Sequence, residues 1–168
     1  MELPLVDLLL RWLHIVAGIV WMGHNYVNIV LHPEFSSVGV ADTPESRSER
    51  FMTALYREHA VFRYASIVSW LTGVWILWRR AWLVDALTLT SYHAVIGMGA
   101  WIGTIMMLNV WFVLWPNQKK VLGFVPATPE ERVRSSRITF LSARTNTMLS
   151  IPLLFFMAAS QHALSLFR

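Results

Sequence analysis

The sequence contains four apolar blocks, residues 3–31, 60–78, 92–115 and 147–167. Each is about as long as the roughly 20 residues a helix needs to cross a bilayer core. No other feature constrains the fold as strongly, because a chain in hydrocarbon must satisfy its own backbone hydrogen bonds, and at this segment length a helix does so. Composition agrees: 55% of residues are hydrophobic and 14% charged, against about 25% charged in an average soluble protein. The expectation is an all-α polytopic membrane protein, a four-transmembrane-helix bundle with short cytoplasmic helices in its connecting loops. Residues 1–168 are expected to form a single transmembrane domain.

The first block competes with a signal peptide. "MELPLVDLLLRW" has two acids and no basic start, its apolar run is too long, and no A-x-A-like site follows. It is therefore expected to stay in the mature chain. There is no cysteine, so a metal or haem held by this sequence has to rest on nitrogen, oxygen or methionine sulfur.

The net charge of +4 is distributed unevenly. Arg47, Arg50 and Arg57 fall in the first connection, and Lys119, Lys120, Arg132, Arg134, Arg137 and Arg144 in the third. The other side holds Arg79, Arg80 and Arg168. Nine against three, by the positive-inside rule, places loops 32–59 and 116–146 in the cytoplasm of a cell (inner) membrane, with both termini outside. This basic excess orients the protein in a lipid bilayer, and no nucleic-acid partner is expected.

The first connection reads as a solvated loop ending in a short helix, "ESRSERFMTALYREH", that runs into the second span. In the second connection Trp82 suits the interfacial aromatic belt. The third begins at Pro116, which is expected to stop span three. It then offers Thr128 as an N-cap, Pro129 at the first helical position and glutamates in the first turn, so a cytoplasmic helix should lead into span four.

Polar residues inside the apolar blocks follow helical spacing. Asp7, Arg11, His14, Gly18, Trp21, Asn25, Asn28 and His32 form one line, which over about seven turns drifts by only about 20°. Such a line must face protein or water, since an unpaired polar group in hydrocarbon costs several kcal/mol. His59, Arg63, Ser66, Trp70 and Gly73 repeat the arrangement on the second span. His93, Gly97, Ala100 and Thr104 make a strip on the third, small enough to admit a helix or a flat ligand. The fourth carries Asn146, Ser150, Pro152 and His162. With alternating helix directions, His14, His93 and His162 lie in the outer half of the membrane and His24, His32 and His59 in the inner half.

Two histidine groups from different helices suggest axial ligation of haem iron. The candidates are His14, His24, His59, His93 and His162, with Arg11 or Arg63 against a propionate, and the implied cofactor is haem b, one or two copies. Plainer readings stand beside this one. His32 and His59 suit solvated helix ends. Arg11 and Arg63 suit snorkelling, or pairing with Asp7 and Glu58. Met106 and Met107 suit core filling.

Two stretches go beyond pattern. "IGTIMMLNVWFVLWPNQKKVLG", residues 102–123, and "ARTNTMLSIPLLFFM", residues 143–157, resemble the transmembrane part of the membrane-bound urate oxidase (urate hydroxylase) family. "LLRWLHIVAGIVWMG" and "HAVFRYASIVSWLTG" are similar to the same family, so the resemblance covers about half the chain. It implies a polytopic domain that works with a cytochrome c domain, with urate as electron donor. Arg63, Asn109, Gln118, Arg144 and Asn146 would then supply charge and hydrogen bonds to a planar anion. Ser160-Gln161-His162 looks similar to the family's closing serine–amide–histidine. The sequence departs from the pattern in lacking C-x-x-C-H, in having four spans, and in carrying His24 where a small residue is expected.

Three functions follow as expectations. The first is a haem-binding, b-type cytochrome-like redox protein that passes electrons to or from a cytochrome c or another redox partner. The second is a urate-oxidising membrane enzyme that hands electrons to a separate cytochrome c. The third is a non-catalytic membrane assembly subunit whose polar stripes bind neighbouring helices. Association between copies of the chain is compatible with all three.

Overall fold

The structure, a computed structural model, describes residues 3–31 and 49–160. All regular structure among them is helical. Helix α1 (Leu3–Tyr26) continues into a π turn, Val27–Leu31. Helix α2 (Glu49–Arg79) follows, then the one-turn α3 (Leu83–Leu87) and a short 3-10 turn, Ser91–His93. Helix α4 (Ala94–Leu108) runs through a π turn, Asn109–Leu114, into α5 (Trp115–Val121). Helix α6 (Pro129–Ala159) closes the described chain.

Three of these stretches, Pro4–Tyr26, Ala60–Arg79 and Ala94–Val121, are long and apolar enough to cross a membrane. The expected fourth span, 147–167, is described only as far as Ser160, as the apolar second half of α6. Outward-facing apolar side chains suit lipid contact: Leu5, Leu8, Trp12, Ile15 and Ile19 run along the exposed side of α1.

Helices α1 and α2 lie antiparallel, and their contacts keep a constant register. Asp7 meets Arg80, His14 meets Ser69 and Gly73, Gly18 faces Ser69, and the His24 ring lies 4.3 Å from that of Phe62. Helix α6 packs against α4, the π turn that follows it, and α5. Hydrogen bonds tie the two pairs together: Trp70 Nε1 donates to Thr104 Oγ1 (2.9 Å), Trp111 Nε1 to Ser66 Oγ (3.3 Å) and Ser150 Oγ to Tyr26 OH (3.1 Å). The core between them contains Trp21, Met22, Phe62, Met106, Val110, Leu114 and Leu153.

Two expectations change. Pro116 does not stop span three, because the helix continues through it to Val121. The π turn before it accounts for this: Trp115 N–H reaches back five residues to Val110 O, and the widened turn accommodates a ring that lacks an N–H. The helix expected in the third connection is also not a separate short element. It is the first half of α6, since no glycine or proline interrupts residues 130–151. Its start is as expected: Thr128 Oγ1 accepts from Glu131 N–H, Glu131 returns the bond to Thr128 N–H, and Pro129 opens the helix.

Candidate functional site

The polar line of α1 meets α2 at three levels. At the first, the Asp7 carboxylate accepts from Arg11 Nε (3.0 Å) and Arg80 Nη2 (3.1 Å). Arg11, expected near a propionate, is therefore ion-paired, and its side chain is 44% exposed. Arg80 also lies over the Trp82 ring, which lies 4.9 Å from the ring of His93. His93 Nδ1 is 3.3 Å from Asp85 Oδ2.

Two turns further along is His14. Its Nδ1 lies 2.8 Å from the Ser69 carbonyl oxygen and 3.2 Å from Thr72 Oγ1. A carbonyl only accepts, so Nδ1 carries a proton, and in the neutral ring Nε2 then keeps its lone pair. Gly73 makes room for the ring, since a methyl there would sit 3.0 Å from His14 Cε1. His24 lies at the opposite end of α1 against Phe62. The described histidines thus occupy three separate places, and no group of three or more histidine, aspartate or glutamate side chains converges among the described residues. His32 and His162, with the side chains of Asn28, Glu58 and His59, lie outside the described residues.

The strip of small residues on α4 receives protein. Gly97 faces the Ala86 carbonyl of α3 and Thr104 accepts from Trp70; off the strip, Gly99 faces Met157 and Phe156.

The third level surrounds Arg63. Its guanidinium stacks on Trp115 (3.6 Å to the ring centroid) and lies 4.8 Å from the Tyr64 ring and 5.4 Å from that of Trp111. Trp111 is held by Ser66, whose hydroxyl donates to the Arg63 carbonyl (2.7 Å). Despite this cage, Arg63 Nε and Nη1 are buried without a hydrogen-bond partner, and no carboxylate pairs with Arg63 among the described residues. Arg80 and Arg132 also bury a lone Nε, but each holds a partner through Nη2. On α1, at a similar level of the α1–α2 register, Trp21 (3% exposed) and Asn25 (1%) are buried. Trp21 Nε1 and both polar atoms of the Asn25 carboxamide are without a partner. Leaving a buried donor or acceptor unmade costs about 1–3 kcal/mol, so each of these atoms is expensive unless something else meets it.

The other residues expected to bind an anion are placed differently. Asn109 Nδ2 donates to Asn146 Oδ1 (2.8 Å) and Ser142 O (3.1 Å), and Asn109 Oδ1 accepts from Ser142 Oγ (2.9 Å). Asn146 Nδ2 donates to Met106 O (3.2 Å). Both carboxamides are spent joining α4 and its π turn to α6. Gln118 is buried in α5, and Arg144 is exposed on α6, with its guanidinium 5.6 Å from the centroid of the Phe140 ring. Trp21 and Asn25 were visible in sequence as i, i+4 members of the α1 line, but nothing there showed that they lack partners.

Helices fit to cross a bilayer, apolar outside and polar within, define a polytopic helical membrane protein. The chain belongs to the urate oxidase N-terminal family, whose model matches residues 59–168. Arg63 and its aromatic cage fall inside the matched stretch, while α1 with His14, Trp21 and Asn25 precedes it. No curated protein and no solved structure matches the chain.

Proposed function

We propose that the chain is the membrane part of a urate-oxidising redox system and that it binds the planar anion beside Arg63. The observation that carries this reading is a guanidinium on an aromatic cage, two of whose nitrogens are buried and unpartnered. An anionic heterocycle would neutralise the charge, accept from those nitrogens and stack among tryptophans. Hydroxylation of urate takes oxygen from water and releases two electrons and two protons. The electrons then need an acceptor, for which a cytochrome c is the proposed partner. We place the protein in the inner membrane with a fourth crossing at 147–167 and both termini outside.

Calorimetric titration of the detergent-solubilised protein with urate tests this. Arg63→Gln should weaken binding at least tenfold, because it removes the charge and the buried donors together. Arg63→Lys should restore little, since an ammonium cannot reproduce the planar stack. Equal urate affinity in the parent and Arg63→Gln would refute the site.

A second reading, a haem-holding redox protein, is favoured by His14. Its Nδ1 is fixed on a backbone carbonyl, the arrangement that leaves Nε2 oriented for a metal. His14 would then be a residue able to hold the iron, while Arg11 and Arg80, both paired with Asp7, would have to leave that carboxylate to meet a propionate. A bound haem b would supply one-electron transfer. His14→Ala should abolish or shift the Soret band of protein loaded with haem, and His93→Ala should leave it in place. Identical spectra in both variants would refute His14 as a ligand.

A further inference from the structure

The carboxamide of Asn25 is the most deeply buried polar group of α1 and has no partner at either atom. It lies one turn beyond Trp21, whose Nε1 is also unpartnered, and level with Phe62 and Arg63 in the α1–α2 register set by His24 and Phe62. Two π turns, Val27–Leu31 and Asn109–Leu114, flank this place. The first begins two residues after Asn25, and the second carries Trp111 of the Arg63 cage. A π turn is an irregularity frequent at functional positions, although the second of these also accommodates Pro116.

Resting on the urate reading above, we infer that Asn25 is the specificity-determining residue of the site, and that it reads the lactam edge of the bound heterocycle. A carboxamide offers one acceptor, Oδ1, beside a donor pair on Nδ2. Its complement is a ring edge on which N–H and C=O are neighbours. A carboxylate or phosphate carries no donor and would leave Oδ1 unmade, at the cost that gives sites of this kind their selectivity. Trp21 Nε1 adds a second donor to a ring carbonyl from the same helix face. The charge of the ligand is met by Arg63 on α2 and its ring edge by α1, so the half of the site outside the family match chooses among anions.

The test titrates the full chain in detergent with two probes, urate and benzoate. Asn25→Leu should weaken urate binding at least tenfold and leave benzoate binding within twofold. It should not lower the melting temperature of the ligand-free protein, because it removes a buried group that lacks a partner. Asn25→Asp should lose both anions. On the unsubstituted protein, at least one of the singly N-methylated urates should bind tenfold more weakly, a measurement that needs no variant to fold. Urate affinity unchanged in Asn25→Leu, or unchanged by every N-methylation, overturns the inference. If Arg63→Gln alone weakens urate, the site survives and only the role of Asn25 falls. If neither substitution matters, the underlying reading falls with it.

Discussion

Gly97 illustrates how a single atom sets a position in this bundle. A Cβ there would fall on the Ala86 carbonyl, which is backbone and cannot swing aside. Gly97→Ala should therefore cost about 2 kcal/mol or more, as overpacking does, and appear as a lower melting temperature in detergent. Gly103, which faces only Leu153 at 3.6 Å, should accept alanine with much less loss. At this scale the sequence reveals which residues are polar and on which face, but not who meets whom. The line from Asp7 through His14 to Asn25 was legible because helical period alone determines it. That Asn109 and Asn146 would saturate each other, while Asn25 would have no partner, depends on the rotation of α6 against α4, which no local pattern encodes. The lone pair left on His14 Nε2 was equally hidden, since it follows from a carbonyl 55 residues away.

Among the elements, α6 was read correctly at its start and incorrectly in its extent. Thr128, Pro129 and the first-turn glutamates form a local signal; the N-cap and the helical Pro129 they predict are present, and Glu131 adds a capping box. Thr128→Ala should destabilise by about 1 kcal/mol, measurable as reduced helicity and earlier unfolding. The same threonine hydroxyl, after a backbone amide, holds the exposed Glu130 carboxyl below its ordinary range. Its folded value is depressed, so its stabilising effect is complete above the unfolded value and is lost as pH falls through the lower folded one. The cap variant should accordingly lose less stability on acidification than the parent. Span three was misread at its end because proline usually terminates a helix. Here the preceding π turn absorbs it, a compensation that depends on packing against α6 rather than on the residues around Pro116.

At the scale of the whole molecule, orientation decides on which side the proposed redox partner could dock. Membrane crossing is supported by three apolar helices, whereas the direction of crossing rests on charge. The α5–α6 connection and its flanks carry Lys119, Lys120, Arg132, Arg134 and Arg137 and an exposed Phe124, while the α2–α4 connection carries Arg79 and Arg80, one of them committed to Asp7. A cationic corner resists translocation and should stay in the cytoplasm. The absence of cysteine makes a clean assay possible, since a single introduced thiol has no background. Thr88→Cys, exposed between α3 and the 3-10 turn, should react with a membrane-impermeant maleimide on spheroplasts with an intact inner membrane. Phe124→Cys should react only after that membrane is opened. The reverse pattern would put the basic corner outside and the Asp7–Arg80–His93 network in the cytoplasm. A periplasmic cytochrome c would then face the opposite end of the bundle from the one that holds His14.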